Sequence, residues 1–361
     1  MASVQPVGKK EIEPRKIYIN ALFLAMPETG IATYAYELTK ALDDLIRLGE
    51  IDHNQYSLEL LSPQLNQPPT QYQFIPVHQV GKLNGWLWEQ LDLPRYSQGH
   101  LLFNPCNTAP LLSQHVIAIH DLSVFTQSYY YPKIPRKLKQ TFLSLLIKSA
   151  ARVWVDSDSS REDVQKYTGV APKKLHVLPP GSNHLSRVQP DSAIITKLGL
   201  GQKPFLIGVG KGLPQEILSF LHKAIASIPH RNYDFILLSE GIESIFPVIQ
   251  ASRNELKALL QNATAVVFPA HYDGYGLELL EAMYCGCPII CANTNYYRDI
   301  CGRAALFFEP DSIKDLSHKI SLIMADPFLQ KQKGDEGILQ ADKRSWMDTA
   351  RQAWDILKQS L

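Results

Sequence analysis

The chain has 361 residues, 45% hydrophobic and 20% charged, and a formal net charge of +1. That balance suits a globular protein and gives no electrostatic reason for a nucleic-acid partner. The length exceeds one ordinary domain and suits two, each with its own core. No apolar run approaches the roughly 20 residues that span a bilayer. Residues 1–15 read as a loose polar tail without the apolar segment of a secretory leader, so a cytoplasmic protein is expected. The five cysteines, at 106, 285, 287, 291 and 301, lack the paired C-x2-C spacing of zinc sites and read as structural thiols.

In chain order, the expected strands are 17–20, 116–120, 153–157, 175–178, 205–208, 235–238, 265–268, 288–291 and 306–308. Helical patterns follow several of them, at 31–48, 135–151, 160–167 and 277–284. Strands alternating with helices predict an α/β protein with parallel sheets covered on both faces, here as two Rossmann-like halves. Pro179-Pro180-Gly181, where a strand ends in breaker residues, marks the break between them.

Near the N-terminus, a strand, a loop and then Gly30-Ile31-Ala32-Thr33-Tyr34 at a helix start form a backbone-amide seat for an anion, or an ordinary tight turn. His120 and Asp121 end an apolar strand, at the sheet edge where open α/β folds bind ligands. Residues 135–151 place Leu138, Phe142, Leu145 and Leu146 on one face beside Arg136, Lys137, Lys139 and Lys148. A core-facing helix with a solvated basic face accounts for this pattern; a basic amphipathic helix can also rest on anionic lipid. Residues 155–164, VDSDSSREDV, supply a serine N-cap and first-turn acids, a structural arrangement.

The densest signal is PAHYDGYGLELLEAMYCGCPIIC, Pro269 to Cys291. Gly274 and Gly276 suit irregular backbone, and Leu277 onward forms helix readily. The free N–H groups of the first turn face the loop, beside an acid on each side, Asp273 and Glu281. A carboxylate accepts two hydrogen bonds at once, which suits a ribose diol. Together these make a seat for a nucleotide sugar, although a helix start with a surface acid would share part of the pattern.

This ordered text, with Asp273-Gly274-Tyr275-Gly276-Leu277, Leu280-Glu281-Ala282-Met283 and Cys285-Gly286-Cys287-Pro288, resembles the E-x7-E signature of the retaining group-one, family-four glycosyltransferases. Trp88-Glu89-Gln90 and His120-Asp121-Leu122 are similar in texture to mannosyl- and rhamnosyl-transferring bacterial members. The resemblance implies the GT-B fold, two parallel-sheet domains facing a cleft with a last helix returning to the first domain. Its boundaries are 16–181 on the acceptor side, 182–344 on the donor side and 345–361 for the returning helix.

The resemblance implies retaining transfer of a hexose or deoxyhexose from a nucleoside diphosphate sugar to a glycan or lipid-linked hydroxyl, with no metal and no cofactor. It assigns His120, Asp273 and Glu281 to catalysis and places Gly30, Ile31, Lys211, Gly274, Tyr275, Gly276 and Leu277 around the donor, with Glu281 on the ribose. Asp121 and Asn107 are acceptor-side candidates, and peripheral contact with the inner membrane face is an expected association.

Three departures stand out. Asp273 replaces a glutamate, Thr29 replaces the first glycine of a pair, and Gln215-Glu216 replace a basic pair that grips the diphosphate. Lys211 is then the nearest cation, and the compact stretch 242–253 leaves the nucleotide base unassigned. A weakly active nucleotide-sugar-binding homologue and a nucleotide-sugar epimerase of the same fold remain as alternatives.

Overall fold

The computed structural model describes residues 13–361 except 28, 68, 129–130, 211–213, 230–231, 240–243 and 272–275. Two all-parallel sheets form the scaffold. The first comprises β1 (Arg15–Asn20), β2 (Tyr56–Ser62), β3 (Val77–Gln79), β4 (Leu101–Asn104), β5 (His115–Ile119), β6 (Arg152–Val155) and β7 (Leu175–Val177), in the order β3-β2-β1-β4-β5-β6-β7. The second comprises β8 (Phe205–Val209), β9 (Asp234–Leu238), β10 (Val248–Ile249), β11 (Ala265–Phe268), β12 (Ile289–Ala292) and β13 (Ala305–Phe308), in the order β10-β9-β8-β11-β12-β13.

Short apolar runs such as AVVF and IICA are buried along their whole length, as parallel strands covered on both faces require. The strand order reverses between β1 and β4 and again between β8 and β11. Ligand crevices of open α/β sheets lie at such switch points. The helix after β1, Gly30–Arg47, and the helix after β11, Leu277–Tyr284, both start there.

Strands β2, β3, β4 and β10 are absent from the sequence reading. β2 reads YSLELLS, rich in leucine and glutamate that favour helix locally. Pairing with β1 on one side and β3 on the other overrides that preference.

The basic helix, Lys133–Ser149, departs from the core-facing expectation. Leu146 and Ile147 are buried, but Ile134, Leu138 and Leu145 are 76%, 68% and 52% exposed. The apolar stripe is wider than the surface under it, so its outer part meets solvent. The cysteines are all free thiols, and all but Cys285 are buried; burial pushes the Cys285 thiol up to about 12. Among the described residues no helix is long and apolar enough to cross a membrane.

Two chain crossings join the sheets, at 178–184 and 341–346, and they run side by side. Ser182 donates from its N–H to the Arg344 carbonyl at 3.0 Å, and from Oγ to the carbonyls of Ala341 at 2.7 Å and Arg344 at 2.9 Å. Thr349 Oγ1 donates to the Pro179 carbonyl at 2.8 Å. Ser345 caps the last helix, Trp346–Gln359, accepting from Asp348 N at 3.1 Å. That helix packs on Gly30–Arg47, putting Trp354 and Leu357 into the first domain's core with Leu38 and Leu42.

Gly181 lets the two crossings touch, since a Cβ there would lie 2.3 Å from the Trp346 backbone nitrogen. Backbone cannot yield as a side-chain tip does. Gly181→Ala is therefore expected to cost about 1–3 kcal/mol, read as a lower melting temperature by calorimetry.

Candidate active site in the interdomain cleft

The site is built around Glu281. Gly276 precedes the Leu277–Tyr284 helix with φ of +72°, a left-handed conformation that favours glycine. A Cβ there would also meet Ile300 Cδ1 at 2.5 Å and Tyr296 Oη at 2.9 Å. Leu277, the first helical residue, is buried among the first domain's core residues, so this helix start is pressed across the cleft.

Glu281 sits one turn in, 7% exposed. Its Oε1 accepts from His184 Nε2 at 2.8 Å, and His184 Nδ1 accepts from the Trp346 indole N–H at 3.2 Å. Three chain segments far apart in sequence thus converge on one carboxylate.

A cavity of about 170 Å³, open to solvent, adjoins it. Thr29, Gly30 and Thr33 form the wall from the first domain, and Arg253, Glu278 and Glu281 face them from the second. Val209, Leu238, Ile249 and Leu256 give it an apolar end, where Gln250 and Ala251 contribute to the lining. A concave, mostly apolar wall with a few convergent polar groups suits a small-molecule ligand. Thr29 earns its place as the N-cap of Gly30–Arg47, its Oγ1 accepting from Ala32 N at 3.2 Å. Ile31 instead packs against the first domain's core and does not line the cavity.

His120 lies at the β5 end with 1% exposure. Its Nδ1 is 2.9 Å from Asp156 Oδ2 and its Nε2 is 2.8 Å from the Pro105 carbonyl. Both ring nitrogens thus have partners within the protein in this conformation. Burial pushes the Asp156 carboxyl above its ordinary range, against the pull of His120. The His120 ring stacks obliquely on Tyr34 at 4.3 Å between centroids, and Tyr34 meets Trp346 edge-on at 5.4 Å. Asn107, with φ of +56°, accepts through Oδ1 from the backbone of His120 and Asp121. Asp121 Oδ1 accepts from Ser123 N at 2.6 Å. Asn107 and Asp121 thus shape the loop behind β5.

The Trp88-Glu89-Gln90 text also acquires a physical reason. Glu89 is fully buried, accepting from Asn20 Nδ2 at 2.7 Å and from the Thr108 hydroxyl. Gln90 ties the same turn to Ala109 and Leu111. Burial raises the Glu89 carboxyl above its ordinary range, opposed by these hydrogen bonds. The network clamps the loops beyond β1 and β4 where they meet the cleft.

Lys211, Asp273, Gly274 and Tyr275 lie outside the described residues. Gln215 and Glu216 open the helix Gln215–Ala226 and are exposed, with Glu216 in the first turn where an acid suits the dipole. Arg253, absent from the sequence reading, supplies a cation within the cavity wall and donates to Thr33 Oγ1 at 2.6 Å. His184 and Trp346 were missed as site residues too. No local motif marks His184, which meets a partner 97 positions away. Among the described residues there is no cluster of three metal-ligating side chains.

Residues 237–339 match the family of glycosyl transferases group 1. The O-antigen chain mannosyltransferase B of Escherichia coli is 24% identical over 269 residues, covering 68% of this chain and 71% of that one. Among solved structures, the sucrose-phosphate synthase of Thermosynechococcus elongatus superposes with a TM-score of 0.73 at 18% identity, over 96% of this chain and 99% of its own. HepE of Anabaena, solved with UDP and glucose, gives 0.69 at 15% identity, over 96% and 100%. These last two likenesses describe the fold, GT-B.

Replacing Gly276 tests the helix start. Gly276→Ala must adopt the left-handed conformation at a cost of about 1–2 kcal/mol, so urea unfolding should show that loss or more.

Proposed function

We propose that this chain, of the GT-B fold, is a group 1 glycosyltransferase that moves a hexose, with mannose favoured, from a nucleoside diphosphate sugar to a hydroxyl of a glycan or lipid-linked acceptor. The observation that carries this reading is Glu281, a carboxylate at the cleft wall beside a helix N-terminus and an apolar slot. The slot near Ile249, Gln250 and Ala251 suits the base, Glu281 the ribose diol, and the helix starts at Gly30 and Leu277 the diphosphate. Mannose is favoured by the likeness to the E. coli mannosyltransferase, and a diphosphate-linked donor by the fold shared with the UDP-bound Anabaena protein.

Transfer proceeds with retention. The bond from C1 to the diphosphate oxygen breaks while the acceptor oxygen bonds C1 on the same face, and the acceptor proton passes to the departing phosphate. No side-chain nucleophile is required. The chain positions both substrates and stabilises charge growing on the diphosphate, through backbone amides, Arg253 and Lys211. His120 acts by holding Asp156 and the loop at Pro105. No metal or cofactor takes part, so transfer should persist in EDTA.

Incubation with a panel of nucleoside diphosphate sugars and mass spectrometry tests the reading. Transfer or slow donor hydrolysis is expected; isomerised donor alone would indicate an epimerase, and binding without turnover an inactive homologue. Glu281→Ala should lower kcat/KM by at least about tenfold, the scale of a hydrogen bond to a charged group. Unchanged kinetics would sink the assignment.

The exposed stripe of Ile134, Leu138 and Leu145, beside Lys133, Arg136, Lys137 and Lys139, suits seating on anionic lipid. The protein should pellet with phosphatidylglycerol-containing vesicles and not with pure phosphatidylcholine. Leu138→Glu with Leu145→Glu should abolish that binding.

A further inference from the structure

We propose that His184 and Trp346 are positioning residues for the donor, aiming the Glu281 carboxylate at the nucleoside ribose from the returning helix. The inference rests on the reading of Glu281 as the ribose acceptor, and extends it to two residues in other segments.

Hydrogen-bond roles settle the tautomer. An indole N–H can only donate, so His184 Nδ1, 3.2 Å from Trp346 Nε1, must accept. The ring proton then lies on Nε2 and points at Glu281 Oε1, 2.8 Å away. Without the tryptophan, the imidazole could turn a lone pair toward the carboxylate, which repels it.

The His184 side chain is fully buried, so water cannot substitute at that face. Glu281 Oε2 makes no hydrogen bond among the described residues, and Oε1 keeps a second acceptor direction. Both oxygens are thereby available to a vicinal diol while the carboxylate is held from behind.

The backbone fixes the relay at both ends. Trp346 N donates to Asn183 Oδ1 at 3.1 Å, locking the returning helix to the segment that carries His184. Trp346 also touches Tyr34 of the first domain. The aim of a side chain in the donor domain is thus set by a helix seated on the other domain.

Removing the relay should degrade ribose recognition specifically, which a merely structural role would not do. Calorimetric titration would compare UDP, GDP and ADP, then the 3′-deoxy form of whichever binds, against the native protein and four variants. The native protein should prefer the 3′-hydroxyl form by about tenfold or more. Glu281→Gln should reduce that preference. Trp346→Phe, which keeps the packed ring and loses only the donor, should reduce it likewise, as should His184→Phe. His184→Gln, whose amide can offer an N–H to Glu281, should restore part of it.

If Glu281→Gln leaves the preference intact, or none of the three diphosphates binds, the ribose reading itself fails. If Glu281→Gln reduces the preference while folded Trp346→Phe and His184→Phe keep it in full, the positioning role is overturned and the ribose reading stands.

Discussion

A carboxylate removed from water needs a partner for its charge, or the fold loses several kcal/mol at that point. Glu281 meets this constraint with one donor, His184, placed behind it. The opposite arrangement, donors on every side, would stabilise the unliganded fold more and leave nothing for a ligand. Supplying the minimum from behind leaves the front of the carboxylate able to accept further hydrogen bonds. The rest of the cleft is arranged about that choice: a glycine that lets the helix start, a leucine pressed across the gap, and an apolar slot alongside.

The two adjacent chain crossings make this arrangement possible. Each sheet buries its own core, with Leu277 reaching across into the first domain's. The hydrogen bonds of Ser182, Thr349 and Asn183 tie one crossing to the other. Arg187 paired with Glu37, and Arg253 bonded to Thr33, add polar links from the second domain onto the Gly30–Arg47 helix. Such partly exposed polar contacts are individually weak. They bias the cleft toward this separation without making it rigid.

Much of this was legible in the sequence because it is local. The Leu277–Tyr284 helix stands where Gly276 and the run LELLEAMY predict it, since a left-handed glycine followed by strong helix formers leaves few alternatives. The parallel strands with β-branched runs were equally readable. β2 was not, because its leucines and glutamate favour a helix until neighbouring strands capture them. The outer face of Lys133–Ser149 also escaped, since periodicity reports an apolar stripe and not what covers it.

The site divides along the same line. Glu281, Gly30 and Gly276 announce themselves through motif spacing. His184, Trp346 and Arg253 do not, because each reaches the cleft only through a contact made across the fold. The departures from the family pattern illustrate the point from the other side. Thr29 looks like a lost glycine in sequence, yet it caps a helix and lines the cavity. Glu216 looks like a lost cation, yet it sits exposed on a first turn while Arg253 enters the cleft from another segment. Local text records which side chains are present; the charge balance of the cleft depends on which ones the two crossings bring together.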